Sequence, residues 1–268
     1  MSTWGTEVEN WLHYLRSASK PESTVGQREY QMRRFARDHW AVAPYAVDVD
    51  TLAKWLSSHV WKPNTRRSYQ GALRSFYHWA HITGRISRDP AALLPPVKVP
   101  PAYSRPCPES IFRMAILTPD RRLGLMLELA GFGGLRRGEI AVVHSRDLTV
   151  AESGAWILQV HGKGRRERRV VLVPSLAWRL RDAGNGYIFP GKHQGHLSPA
   201  HVGVTVSRAL PPGWTCHTLR HRFAKKFYNT EKNLRATQEV LGHADLRTTQ
   251  IYTEVELDDI QRSMAGVA

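Results

Sequence analysis

The sequence predicts a mainly α protein of two domains, with one small antiparallel sheet in its second half. Three observations carry this. Apolar residues recur at helical spacing through the first hundred residues, a proline-dense stretch interrupts the chain near its first third, and two short β-branched runs flank Gly162-Lys163-Gly164.

Trp4, Val8, Trp11, Leu12 and Leu15 form an amphipathic stripe and predict a first helix. A second is expected from about Thr24 to His39, with Tyr30, Met32 and Phe35 as apolar anchors among Arg28, Arg33, Arg34 and Arg37. Asp48 or Asp50 can cap a third, which carries Leu52, Trp55 and Leu56. A fourth begins around Pro63-Asn64-Thr65, runs through Tyr69, Leu73, Phe76, Tyr77 and Trp79, and stops at Gly84. Residues 1–95 thus read as a helical bundle. Pro95-Pro96-Val97-Lys98-Val99-Pro100-Pro101, followed by Pro106 and Pro108, excludes helix and favours an extended connector, placed at residues 96–106.

The second domain, 107–268, is expected to open with helices over Glu109–Leu117 and Pro119–Phe132 and a third from near Arg136. Trp156–Val160 and Arg168–Val173 read as paired strands. Helical patterning returns after Pro174, near Ser198, and through His217–Tyr228, Leu234–Leu241 and Thr248–Glu256.

The formal net charge of the 268 residues is +15. Residues 1–100 carry 14 Lys/Arg against 8 Asp/Glu, and residues 101–268 carry 24 against 15, so both domains are basic. That distribution suits a protein that grips a polyanion from two sides, and nucleic acid is the obvious candidate. No window approaches the roughly 18 consecutive apolar residues of a membrane span, and the first residues lack a secretory pattern. Cys107 and Cys216 have no metal-ligand spacing, which argues against a disulfide framework or structural zinc and points to a reducing cytoplasm.

The chemistry concentrates in a few positions. His217 and Arg220 are three apart and share a helix face, as do Arg136 and Glu139. Leu241-Gly242-His243 follows, then Tyr252 nine residues beyond His243, with Asp245 placed to cap a short helix carrying the tyrosine. Arginine forks bind phosphate oxygens and stay cationic, histidine moves protons near neutrality, and tyrosine can form a covalent phosphoryl intermediate. Each element alone is common; the order and spacing together are not.

With these residues in order, the chain resembles the tyrosine recombinase (phage integrase) family across most of its length. The resemblance implies a helical, SAM-like core-binding domain followed by a mixed α/β, mostly helical catalytic domain. Residue by residue it implies Arg136 and Arg220 as phosphate clamps, Glu139 as their support, and Lys163 as general acid. His217 would manage the tyrosine proton, His243 would position the phosphate, and Tyr252 would be the nucleophile. Arg165, Arg166, Arg168 and Arg169 around Lys163 are expected to contact DNA, as are Lys62, Arg66, Arg67 and Arg74 at the fourth helix. His221 is read as either packing or functional, and Cys216 as a small buried hydrophobe.

No cofactor or metal is expected, because arginines supply the charge a metal would. The implied partners are double-stranded DNA attachment sites, a homotetramer spanning two of them, and accessory DNA-bending or directionality proteins. No membrane is involved, and the setting is the nucleoid of a host cell. Because helical periodicity begins almost at Trp4, a simple pair of short sites is expected. The tail, Glu254–Ala268, carries Val255, Leu257, Ile260 and Met264 in a helical pattern, for docking on a neighbouring protomer or folding back on its own domain. Integration or excision of a phage or mobile element is the leading reading. Chromosome-dimer resolution, a type IB topoisomerase and a non-catalytic DNA-binding regulator stand as alternatives.

Overall fold

A computed structural model of the chain describes residues 3–100, 104–162 and 167–242. The chain divides into two compact units, Met1–Pro101 and Ala102–Ala268.

The first unit is built from α1 (Trp4–Ser17), α2 (Glu22–Asp38), α3 (Val49–Ser58) and α4 (Pro63–Ile82). Thr3 caps α1, Asp48 caps α3 through the Thr51 N–H at 2.8 Å, and Pro63 opens α4. Gly84 takes φ +73° just beyond the end of α4, a conformation that side chains resist. The core is aromatic: Trp11, Phe35, Phe76 and Tyr77 are fully enclosed, with Trp4 edge-on to Phe35 and Trp11 edge-on to Phe76. Each such ring stabilises the fold by roughly 2–3 kcal/mol through burial. Two of the indole N–H groups are matched, since Trp4 Nε1 donates to Val42 O at 2.8 Å and Trp55 Nε1 to Asp38 Oδ2 at 2.9 Å, whereas the buried Trp11 Nε1 has no partner among the described residues.

One anchor is corrected. Tyr30 is 65 % exposed, while Val25, Met32 and Phe35 are buried. At 100° per residue, Tyr30 lies about 200° from Met32, on the arginine-bearing face.

The second unit comprises α5 (Glu109–Ala115), α6 (Arg121–Gly131), α7 (Arg137–Ala141), β1 (Leu148–Val150), β2 (Trp156–His161), β3 (Glu167–Leu172), α8 (Pro174–Arg181), α9 (Pro199–Arg208), α10 (Cys216–Glu231) and α11 (Leu234–Leu241). Helix α6 is buried on every side from Gly124 to Gly131, and α10 and α9 pack against it. Asp120 caps α6 through the N–H groups of Arg122 and Leu123, so the helix starts later than Pro119.

The sheet is antiparallel in the order β1-β2-β3. Leu158 pairs with Val170 and Val160 with Arg168, and Leu158, Val160, Val170 and Leu172 face the core. Val171 and Arg169 face solvent. Strand β1, three residues long, is too short for alternation to reveal it in the sequence. The predicted helix over Thr248–Glu256, the Asp245 cap and the tail from Glu254 lie outside the described residues. No described helix is long and apolar enough to cross a membrane.

Candidate active site

The site grows from a tight turn. Gly133 and Gly134 follow α6, and Gly134 adopts φ +64°, where an ideal Cβ would overlap the Phe223 ring. The turn delivers Arg136 to the N-cap of α7 and Glu139 to its third position. Glu139 reaches back, accepting the Arg136 N–H at 2.8 Å on Oε2 and Arg136 Nη1 at 2.7 Å on Oε1.

Arg136 is one of three arginines on this carboxylate. Arg168, from β3, binds it in a fork, Nη1 to Oε1 and Nη2 to Oε2, both at 2.8 Å. Arg220, from α10, places Nη1 3.7 Å from Oε2. Burial works to raise the Glu139 carboxyl, but hydrogen bonding and charge from Arg168, the Arg136 N–H and the charge of Arg220 win, holding it at about 2. Three guanidinium groups against one carboxylate leave a net double positive charge. Glu139 and Arg220 are buried, whereas the Arg136 side chain is 40 % exposed. The cluster therefore presents cationic charge at a surface.

The same three arginines hold the end of α11. Arg168 Nε donates to Val240 O at 2.8 Å, Arg220 Nη2 to Leu241 O at 2.6 Å and Arg136 Nη2 to Gly242 O at 3.3 Å. Carbonyls at a helix C-terminus lack intrahelical partners and carry partial negative charge, so cationic donors complement them. Gly242, at φ +62°, closes the helix in the left-handed conformation. Arg220 Nη1 also donates to Gly134 O, which joins the turn before Arg136 to the end of α11.

His217 stands in the first turn of α10, where Thr215 and Thr218 form a reciprocal cap. Its ring is exposed on one side and packs on His221 on the other, with Nε2 2.8 Å from His221 Nε2. Partial desolvation, then the charges of Arg220 and Arg136, lower its pKa from the ordinary value. Both effects favour the neutral imidazole over the imidazolium.

The structure thus brings Arg136, Glu139, His217 and Arg220 into one neighbourhood. Lys163, Arg165, Arg166, His243 and Tyr252 lie outside the described residues. Arg168 is corrected: it is no open DNA contact, because its side chain is 10 % exposed and its fork is spent on Glu139 and Val240. Strand alternation carried the signal, since Arg168 shares the inward face with Val170 and Leu172. Arg169 points the other way and is exposed.

In the first unit, Lys62 and Arg67 are exposed at the start of α4. Arg66 donates to His59 O at 3.2 Å and Arg74 to Leu94 O, so both are partly engaged within the fold. Cys216 is buried, and desolvation pushes its thiol up to about 12, as suits a packing residue. Among the described residues, no group of three or more His, Cys, Asp or Glu is arranged to hold a metal ion.

The phage integrase family model matches residues 114–258, more than half of the chain and the whole of this arginine cluster. The chain belongs to the phage integrase family. It is a tyrosine-type, site-specific DNA recombinase by that membership. It is 34 % identical over 253 residues to a protein named tyrosine recombinase XerC from Xanthomonas campestris pv. campestris strain B100, covering 83 % of this chain and 76 % of that one. The protein of the same name from Azotobacter vinelandii is 33 % identical over 245 residues, covering 83 % and 80 %. In fold, the chain is similar to a lambda integrase dimer bound to a COC′ core site, at TM-score 0.75 and 18 % identity over 97 % of this chain and 79 % of that one. It is also similar to the XerH recombinase bound to its difH substrate, at TM-score 0.67 and 19 % identity over 90 % and 79 %.

Proposed function

We propose that the protein cuts and rejoins duplex DNA through a 3′-phosphotyrosyl intermediate on Tyr252, without a metal. The observation that carries this reading is the excess cationic charge of Arg136, Arg168 and Arg220 over Glu139, set at the helix end from which the chain runs on to His243 and Tyr252.

Only about a thousandth of a free tyrosine is ionised at pH 7, so its oxygen must be activated. Neutral His217 accepts the Tyr252 proton, and the phenolic oxygen attacks the scissile phosphorus. Arg136 and Arg220 stabilise the charge that builds on the non-bridging oxygens, and each such donor contributes roughly 3–4 kcal/mol to the transition state. His243 bonds the phosphate. Lys163 protonates the departing 5′-oxygen, and the 5′-hydroxyl of a second strand later reverses the attack. The phosphotyrosyl bond preserves the ester, so no nucleotide cofactor is required. Arg220 is buried and donates to Gly134 O and Leu241 O, so it holds the cluster in place and adds its charge from beneath, while the half-exposed Arg136 is the guanidinium that DNA meets first.

In this reading the N-terminal bundle binds core-type sites through Lys62 and Arg67, with Arg66 and Arg74 beside them. Four protomers act on two sites, helped by accessory bending or directionality proteins, in the cytoplasm of the host. The reaction integrates or excises a phage or other mobile element. A second reading, resolution of chromosome dimers, is favoured by the likeness to relatives named tyrosine recombinase XerC.

The test uses nicked duplexes from the DNA flanking the gene, in EDTA, with wild type beside Tyr252→Phe. Wild type is expected to give an SDS-resistant adduct and the variant only a gel shift. Binding without an adduct from wild type would move the protein to the regulators. A plasmid bearing two copies of the site then separates exchange from simple relaxation, the topoisomerase outcome.

A further inference from the structure

His221 is buried at 6 % exposure, next to the arginine cluster, and the reaction above does not use it. Both of its ring nitrogens are engaged. Nε2 lies 2.8 Å from His217 Nε2, and Nδ1 lies 3.1 Å from the Ser104 hydroxyl. Among the described residues, the charged groups acting on the pair are Arg220, near both rings, and Arg136, near His217. Only one of two facing ring nitrogens can carry the shared proton, so each ring dictates the tautomer of the other.

We propose that His221, held by Ser104, is a positioning residue that fixes His217 with its proton on Nε2 and its lone pair on Nδ1. This deepens the recombinase reading and rests on it. In this arrangement His221 donates Nδ1–H to Ser104 Oγ and accepts His217 Nε2–H on its own Nε2. With Nε2 spent, Nδ1 is the nitrogen of His217 left to take a proton. When the Tyr252 O–H bond breaks, that proton goes to Nδ1, and the oxygen's electron pair forms the bond to phosphorus. The 5′-oxygen leaves with its bonding pair and takes a proton from Lys163. The resulting His217 imidazolium keeps Nε2–H directed at His221, which stabilises it much as an orienting carboxylate would, without adding negative charge beside the phosphate.

Burial, then His217 and Arg220, push His221 down to about 4, so the ring stays neutral across the working range and keeps one nitrogen able to accept. The link had no spacing signal beyond i, i+4 on α10, and the Ser104 contact spans more than a hundred residues of sequence.

The test measures single-turnover adduct formation on the nicked duplex from about pH 5.5 to 9, with gel-shift affinity and thermal melting alongside. Ser104→Ala, His221→Phe and His221→Gln are compared with wild type. His221→Phe keeps a ring but removes the acceptor, and it is expected to slow adduct formation about tenfold or more at unchanged DNA affinity. Its acidic limb should move to lower pH, because the imidazolium has lost its partner. His221→Gln, whose amide oxygen can accept, should recover much of the rate, and Ser104→Ala should fall between. Wild-type rates and pH limbs in both His221→Phe and Ser104→Ala would overturn the proposal. So would loss of cooperative melting in His221→Phe with Ser104→Ala unchanged, since that marks a packing role. No adduct from wild type sinks the recombinase reading itself and this inference with it.

Discussion

Glu139 gathers three arginines without neutralising them, as the proposed metal-free phosphate site requires. Its folded pKa of about 2 lies below the ordinary carboxylate value, so its contribution is fully present above about pH 4.5 and is lost as pH falls toward 2. The shift is worth about 3 kcal/mol. Glu139→Gln leaves three buried or half-buried cations facing one another. Denaturant unfolding at pH 7 should show a loss of about 3–5 kcal/mol, with a flatter acid limb below pH 4.5 than wild type. An unchanged midpoint would mean that the carboxylate is not their organiser. The sequence exposed Arg136, Glu139, His217 and Arg220 through local spacing. It did not expose the partners that hold them, because Arg168 meets Glu139 from a strand and Ser104 meets His221 from the connector. Long-range ion pairs leave no periodicity to read.

At the scale of elements, the cluster depends on two glycine-controlled helix junctions, Gly134 before α7 and Gly242 after α11. Gly134→Ala adds both a positive-φ cost and an overlap with Phe223. It should lower stability by about 2 kcal/mol or more and slow adduct formation by displacing Arg136. A thermal melt paired with single-turnover kinetics checks both, and a variant equal to wild type in each would remove the turn from the mechanism. Helices with long apolar stripes, such as α1, α3 and α4, were legible to within a few residues. The arginine-rich α2 misled at Tyr30, where an aromatic residue sits on the polar face, and β1 was too short to register.

Across the whole molecule, the +15 charge is spread over both units, and the cations assigned to DNA are exposed at Lys62, Arg67 and Arg169. DNA affinity should therefore fall steeply with salt, by a slope of about −0.9 for each phosphate neutralised. Lys62→Ala and Arg67→Ala should each reduce that slope by about one unit while leaving the chemical step near wild type once the site is saturated. Titrations at several salt concentrations that give an unchanged slope would remove those residues from the interface. The basic balance pointed to a polyanion, but the three-arginine grip on the end of α11 emerged only from the fold. In the proposed mechanism this grip serves a covalent bond to Tyr252. The most direct measurement is to trap the wild-type protein on a nicked duplex in EDTA, digest both partners, and locate the nucleotide-bearing peptide by mass spectrometry. A single modified peptide, with the 3′-phosphate on Tyr252, is expected. A covalent link on any other side chain, or modification that appears only when a divalent metal is supplied, would contradict it.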